Sequence, residues 1–385
     1  MLALATTRTE PVMDQSIARD DQRFMLAALA LGRRALGNAW PNPAVGAIVV
    51  RYEKRIPIIV GRGWTQPGGR PHAETEALRR AGAAARGATL FVTLEPCSHH
   101  GKTPPCAEAI IAAGISRVVS ALEDPNPEVA GKGHALLRAR GIQVDVGVEA
   151  TEAARAHAGH IRHIRAGRPH VTLKLAVSAD GKVALVGRRP TPITGAAARA
   201  HVHLMRAQND AILVGIGTVL SDDPQLTCRL PGMANRSPVR VVLDAGLRLP
   251  PTSVLVGSAM VVPTWVIAGA DAPAEPEEGL RSKGVEVQRV AARHGRLDLG
   301  AVMSMLGDRG ITRLMVEGGP TVAAALIAAD LVDEALLLRS RELIGADGVD
   351  ALEGMPLTAV TQSPQLRSRG IETVGEDVAE TFERP

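Results

Sequence analysis

Pro71-His72-Ala73-Glu74, Thr93-Leu94-Glu95-Pro96-Cys97 and Cys106 carry the reading of the N-terminal half. Ala73 to Arg86 reads as a helix. Ala88 to Leu94 reads as a strand that delivers Glu95-Pro96-Cys97 to its end, and Cys106 to Ala113 opens the next helix. One imidazole and two thiols brought together are a strong zinc set. Two thiolates offset the 2+ charge, and the fourth tetrahedral position stays open for water. A water held there has its pKa lowered to roughly 7. Glu74 sits two residues past His72 on the first helical turn, beside the metal but not ligating it. A carboxylate there can take the water proton, pass it to a ring nitrogen and protonate departing ammonia.

This is the logic of the H-x-E…P-C-x-x-C signature of zinc nucleobase deaminases. The chain departs from that signature once: eight residues, Ser98 to Pro105, separate the cysteines instead of two. A closed structural zinc site, with His99 or His100 as fourth ligand, is the competing reading. Cys228 lies far away and reads as a buried thiol. His157, His160 and His163 mimic a metal box, but among Arg155, Arg162 and Arg165 they read as a solvated basic helix face.

The flanking sequence continues the same architecture. A leader over residues 1–20 reads as disordered and not as a signal peptide. A helix follows from Asp21 to Leu36, then strands at 44–50, 56–60, 116–122 and 142–148, with a helix at 131–140. Thr151 to Gly167 reads as a connecting helix, and His170–Val177 opens a second series. Its expected elements are helices 196–208, 298–309 and 320–329, and strands 211–215, 239–244, 264–268, 312–316 and 332–339. Strands alternating with helices indicate α/β domains. At 385 residues the chain has room for two, or at most three. The expected domains are 21–149 and 169–385, joined by a connector at 150–168.

Composition narrows the function classes. Net charge is +4 and no run of five Lys/Arg occurs, so there is no basic tail for nucleic acid. Three Trp, three Phe and one Tyr provide no stacking platform for single strands. Cores must come from Ala, Val, Leu and Ile. Three cysteines cannot build a disulfide framework, which points to a reducing cytoplasm. No apolar stretch approaches the ~20 residues of a membrane span.

These residues resemble the bifunctional riboflavin-biosynthesis deaminase/reductase family. The matching segments are Pro41-Asn42-Pro43-Ala44-Val45-Gly46, Pro71 to Glu74, Thr93 to His99, Gly101 to Cys106 and Asp124-Pro125-Asn126-Pro127. The second half matches at Lys174 to Gly181, Arg206-Ala207-Gln208, Asp222 to Thr227 and Val316-Glu317-Gly318-Gly319-Pro320-Thr321. The eight-residue cysteine gap is that family's own form. The resemblance implies a cytidine-deaminase-like three-layer α/β/α domain, followed by a dihydrofolate-reductase-like α/β domain. It implies zinc-dependent deamination of 2,5-diamino-6-ribosylamino-4(3H)-pyrimidinone 5′-phosphate, then NADPH-dependent reduction of the ribosyl side chain to ribityl. His72, Cys97 and Cys106 become zinc ligands and Glu74 the proton donor, with Asn42, Lys102 and the His99 loop in the pocket. Ala176, Thr218, Asp222, Leu226, Gly319, Pro320 and Thr321 would line the NADPH site, and Arg206, Arg229 and Glu317 would meet substrate. The partners implied are small phosphorylated molecules, with no nucleic acid or membrane, and a homodimer or tetramer as the assembly.

The Gly318-Gly319-Pro320 turn by itself reads either as an ordinary tight strand–helix turn or as an anion site, and the resemblance favours the second. Two glycines let the backbone approach an anion, and the following helix offers free N–H groups. Three positions depart from the family. Pro190 and Pro192 stand where relatives carry Ser and Trp, and Ala245 stands where Ser is common. Two readings therefore stand: a bifunctional enzyme, or an active deaminase with a weakened or inactive reductase domain.

Overall fold

The computed structural model describes residues 15–100, 104–188 and 191–385. The expected leader up to residue 14, Lys102 and Pro190 lie outside the described residues. Gln15 to Asp20 continue the first helix, Gln15–Gly32. The chain forms two compact units. Of the described residues, the first takes in those within 15–35, 44–66 and 70–157, and the second those within 36–43, 67–69 and 158–385.

The first unit is built on five strands: β1 (Gly46–Glu53), β2 (Ile56–Trp64), β3 (Thr89–Val92), β4 (Arg117–Ser120) and β5 (Gln143–Val146). Their order is β2-β1-β3-β4-β5. The pairs β1–β2 and β1–β3 are antiparallel, while β3–β4 and β4–β5 are parallel. Side chains alternate across a strand, so each apolar run serves two cores. Ala47, Val49, Leu90, Val92 and Val118 face one core, with Ala73, Ala77 and Ile110 from the helices Ala73–Ala81 and Cys106–Ala112. Ile48, Val50, Phe91 and Val119 face the other, under Phe24, Met25 and Ala28 of the first helix. This is the expected three-layer sandwich. Phe24 and Phe91 pack within it with tilted rings, their centroids 5.3 Å apart.

The second unit contains β6 (His170–Val177), β7 (Lys182–Ala184), β8 (Ala211–Gly215), β9 (Val239–Leu243), β10 (Thr264–Gly269), β11 (Val285–Val290), β12 (Ala292–Arg293), β13 (Arg296–Leu297), β14 (Arg313–Val316), β15 (Glu334–Arg339), β16 (Val349–Asp350), β17 (Arg367–Val374) and β18 (Asp377–Glu383). Nine of them make one sheet in the order β11-β10-β9-β8-β14-β6-β15-β18-β17. From β11 to β15 every pairing is parallel. A parallel sheet is covered on both faces, which explains the continuous apolar runs of its strands. Ala211 and Leu213 pack with Val241 and Ile267 on one face, and Ile212 and Val214 with Val242 and Val266 on the other. The antiparallel hairpin β17–β18 was not expected from the sequence. Its edge strand, Arg-Ser-Arg-Gly-Ile-Glu-Thr-Val, is exposed along seven of eight positions and has no apolar alternation to read.

The connector differs from the expected single helix. It breaks at His157 into Ala150–Ala156 and Ala158–Ala166. The solvated histidine face is also corrected. His157 is buried and its Nε2 lies 3.0 Å from Thr93 Oγ1, because the break turns that ring inward to the end of β3. Nitrogens of His160 and His163 are likewise shielded from solvent. No described helix is long and apolar enough to cross a membrane.

Candidate active sites

The first unit brings His72, Cys97 and Cys106 together. His72 is the N-cap of helix Ala73–Ala81, Cys97 follows the end of β3, and Cys106 opens helix Cys106–Ala112. The Sγ atoms of Cys97 and Cys106 lie 3.7 and 3.3 Å from His72 Nδ1. The three ligand atoms are all within 4.8 Å of one another. A tetrahedral zinc with ordinary Zn–N and Zn–S lengths sets N···S edges of about 3.6 Å. The donor set therefore fits that ion in both chemistry and spacing. Neither His99 nor His100 joins the cluster among the described residues; His100 Nε2 instead meets Glu108 Oε1 at 3.1 Å. That removes the four-ligand structural reading.

Glu74 is 3% exposed, two residues past His72 in the first turn of the helix. Burial pushes its carboxyl up to about 7. A group poised there can both accept and return a proton near neutrality. The Cys97 thiol is held down, to about 4, first by its contact with Cys106 and then by His72, against its own burial.

Glu95 has a role that the sequence reading did not assign. Its Oε1 accepts from the backbone N–H groups of Gly133 and His134, at 2.8 and 3.2 Å. Its Oε2 accepts from those of Asp124 and Gly131, at 3.0 and 2.9 Å. With four N–H donors this carboxylate is saturated. It anchors the Asp124–Gly131 turn and the start of helix Lys132–Ala139 beside Pro96 and Cys97. The approach is close: a Cβ on Gly133 would meet the Pro96 carbonyl at 2.0 Å. An acidic residue next to the ligand-bearing Pro-Cys was the available signal. Asn42 falls in a short stretch that groups with the second unit, and its Nδ2 donates to the Gly69 carbonyl at 2.9 Å.

The second unit holds a cavity of about 830 Å³ above the C-terminal ends of β6, β8, β9 and β14. Ala176, Thr218, Asp222, Leu226, Gly319, Pro320, Thr321, Arg206 and Glu317 all line it. Arg229 does not. It is exposed, and its guanidinium turns to Gln225 Oε1 at 3.3 Å. Gly215 and Gly318 are required by close packing: a Cβ on either would lie 2.8 or 3.0 Å from Val322. They let the helix Pro320–Ala328 start at the cavity wall, with its free N–H groups available to an anion. Thr321 Oγ1 donates to Glu353.

The cavity floor is ionic. Glu317 accepts from Arg206 Nε at 2.7 Å and from Nη2 at 2.9 Å, and Lys174 Nζ lies 3.9 Å away. Burial would raise the Glu317 carboxyl, but Arg206 and Lys174 hold it below its ordinary range. Burial lowers the Lys174 ammonium. In the sequence Lys174 stands out only as part of a matching segment. Of the departing positions, Ala245 lines the cavity together with Thr191 and Ile193, while Pro192 is exposed.

Residues 18–122 match the family model of the cytidine and deoxycytidylate deaminase zinc-binding region. Residues 169–379 match that of the RibD C-terminal domain. The riboflavin biosynthesis protein RibD of Escherichia coli is 40% identical over 371 residues, covering 93% of this chain and 98% of that protein. The chain belongs to the RibD family. The RibD protein of Aquifex aeolicus is 39% identical over 94% of this chain and 98% of its own. Among solved structures, Acinetobacter baumannii RibD superposes with a TM-score of 0.82 at 33% identity, over 96% of this chain and 99% of that one. A diaminohydroxyphosphoribosylaminopyrimidine deaminase/5-amino-6-(5-phosphoribosylamino)uracil reductase from Thermotoga maritima gives 0.82 at 35%, over 96% and 100%. The chain thus carries both a zinc-binding deaminase domain and an NADPH-dependent reductase domain of riboflavin biosynthesis.

Proposed function

We propose that the first unit deaminates 2,5-diamino-6-ribosylamino-4(3H)-pyrimidinone 5′-phosphate and that the second then reduces its ribosyl side chain to ribityl. The deaminase domain is assigned to 21–149, the connector to 150–168 and the reductase domain to 169–385. The observation that carries the reading is the convergence of His72 Nδ1, Cys97 Sγ and Cys106 Sγ beside the buried Glu74 carboxyl.

In this reading His72, Cys97 and Cys106 hold zinc, which when bound supplies Lewis-acid activation of the attacking water. Glu74 Oε takes the first proton of the attacking water and delivers it to the ring nitrogen; it then takes the proton of the hydroxyl added to the ring carbon and delivers it to the amino group, which leaves as ammonia as the C–N bond breaks and the carbonyl forms. Its burial suits that double duty, because a carboxyl near pH 7 is neither too weak a base nor too weak an acid. Glu95 is a support for Cys97 and not a participant. Asn42 is assigned to the pyrimidine pocket on the resemblance alone.

NADPH, when bound, supplies the hydride. Ala176, Thr218, Asp222, Leu226, Gly319, Pro320 and Thr321 are assigned to its site, with the Pro320 helix start meeting phosphate. Arg206 and Glu317 are assigned to the substrate; Arg206 presents a planar fork suited to phosphate or ribose oxygens. Cytoplasmic location and homo-oligomeric assembly belong to the same proposal. An assay of ammonia release and NADPH oxidation on zinc-loaded protein tests it. Ammonia release without NADPH oxidation would leave only the deaminase.

A further inference from the structure

Four cations line the cavity of the second unit: Lys174, Arg206, Arg248 and Arg296. Lys174 and Arg206 are committed to Glu317. The other two lie across the sheet from them. Lys174 stands on β6, and β14 and β8 intervene before β9, three strand spacings or about 14 Å. Arg248 follows β9. Arg296 stands on β13, whose ribbon abuts the end of β10, since a Cβ on Gly269 would meet Ala292 Cβ at 3.1 Å. Between the two groups starts the Pro320 helix. The wall therefore offers an ionic floor at one end, a helix N-terminus in the middle and arginines at the other end.

The ribbon that presents Arg296 is a tight hairpin that carries its charge without compensation. β12 and β13 are joined by two residues, His294 at φ +52° and Gly295 at φ +73°, the geometry of a type I′ hairpin. Arg293 and Arg296 are direct cross-strand partners. Like charges in that position are unfavourable, and a carboxylate neighbour would ordinarily relieve them. Among the described residues neither guanidinium has a hydrogen-bond or ion-pair partner. Arg248 has one weak contact, Nε to Asp244 Oδ1 at 3.4 Å. Ala245 offers no side-chain donor. Asp222 is the one carboxylate besides Glu317 among the lining residues.

We propose that this ribbon reads the ribose 2′-phosphate of the dinucleotide, with Arg296 in contact and Arg293 and Arg248 flanking it. The proposal rests on the reductase reading above and adds the determinant that selects NADPH over NADH. The nicotinamide end then lies toward Glu317, the pyrophosphate at the Pro320 helix start and the adenosine toward β9 and β10. A dianionic phosphate relieves the Arg293–Arg296 repulsion, and arginine's planar fork meets two of its oxygens at once.

Titration calorimetry on the zinc-loaded full chain, with 2′,5′-ADP and 5′-ADP as probes, tests this. The wild type should bind 2′,5′-ADP at least about tenfold more tightly than 5′-ADP. Arg293→Ala/Arg296→Ala should abolish that preference and leave 5′-ADP affinity unchanged, while Arg296→Lys keeps part of it. KM for NADPH should rise about tenfold in the double variant, with KM for NADH unmoved. A double variant that keeps the preference overturns the assignment. So does a wild type that oxidises NADPH yet binds both probes equally. A wild type that binds neither probe and oxidises no NADPH overturns the reductase reading itself.

Discussion

Replacing Glu317 by Gln removes one negative charge from a buried triad at almost constant volume. Glu317 holds Arg206 in two hydrogen bonds of 2.7 and 2.9 Å and lies 3.9 Å from Lys174 Nζ. The glutamate and arginine side chains are 10% and 11% exposed, so solvent does little to screen them. Gln keeps one carbonyl acceptor for Arg206 but leaves two buried cations beside a neutral amide. Breaking a buried ion pair from one side costs about 3–5 kcal/mol. Lys174 can shed its proton, since burial already holds its ammonium below the ordinary range. The lower end, about 3 kcal/mol, therefore applies. At about 2–4 °C per kcal/mol for a domain of this size, the second unit should melt about 6–12 °C earlier. Scanning calorimetry on the zinc-loaded full chain reads this directly, because two units need not melt together. NADPH oxidation should fall in parallel while deamination persists. A shift below about 2 °C with reduction intact would refute the reasoning.

Glu74→Gln should retain zinc and lose deamination by about 10²–10⁴-fold, read by metal analysis beside ammonia release. Cys97→Ser should lose zinc on gel filtration; full retention contradicts the ligand assignment. Acid should destabilise the second unit. Burial pushes the His170 imidazole down to about 3 from 6.5, so the unfolded chain binds the extra proton between those values and stability falls with pH from about 6.5 downward. Asp333 acts in the same direction: burial raises it, but Arg168 holds it below its ordinary range, and its contribution is lost as pH falls through that depressed value. Melting temperatures from pH 7 to 4 check this, and a flat profile to pH 5 is the contrary result.

The zinc cluster was legible because its ligands sit at element ends that the sequence marks clearly. His72 caps a helix, Cys97 ends a strand and Cys106 starts a helix. Both sheets were legible where strands are buried on two faces, as at β6 and β8. The polar edge strand β17 was not, since exposed residues carry no period. The connector histidines were misjudged for a related reason. Arginine neighbours suggested solvent, but the break at His157 is set by tertiary packing against β3, which sequence spacing does not encode. In the reductase cavity the family motifs located Arg206 and Glu317. Lys174, Arg248 and Arg296 emerged only when parallel strands and a tight ribbon brought distant segments to one wall. Arg229 illustrates the converse: a motif position can turn away, here toward Gln225.

One chain performs two successive reactions at two sites. The most direct test supplies the pyrimidine phosphate and NADPH to protein with measured zinc content, and follows ammonia and NADPH together. The prediction is one NADPH oxidised per ammonia released, with oxidation lagging behind deamination and both lost when zinc is removed. Ammonia release with NADPH unchanged, or NADPH oxidation that survives zinc removal without the deaminated intermediate, would contradict it.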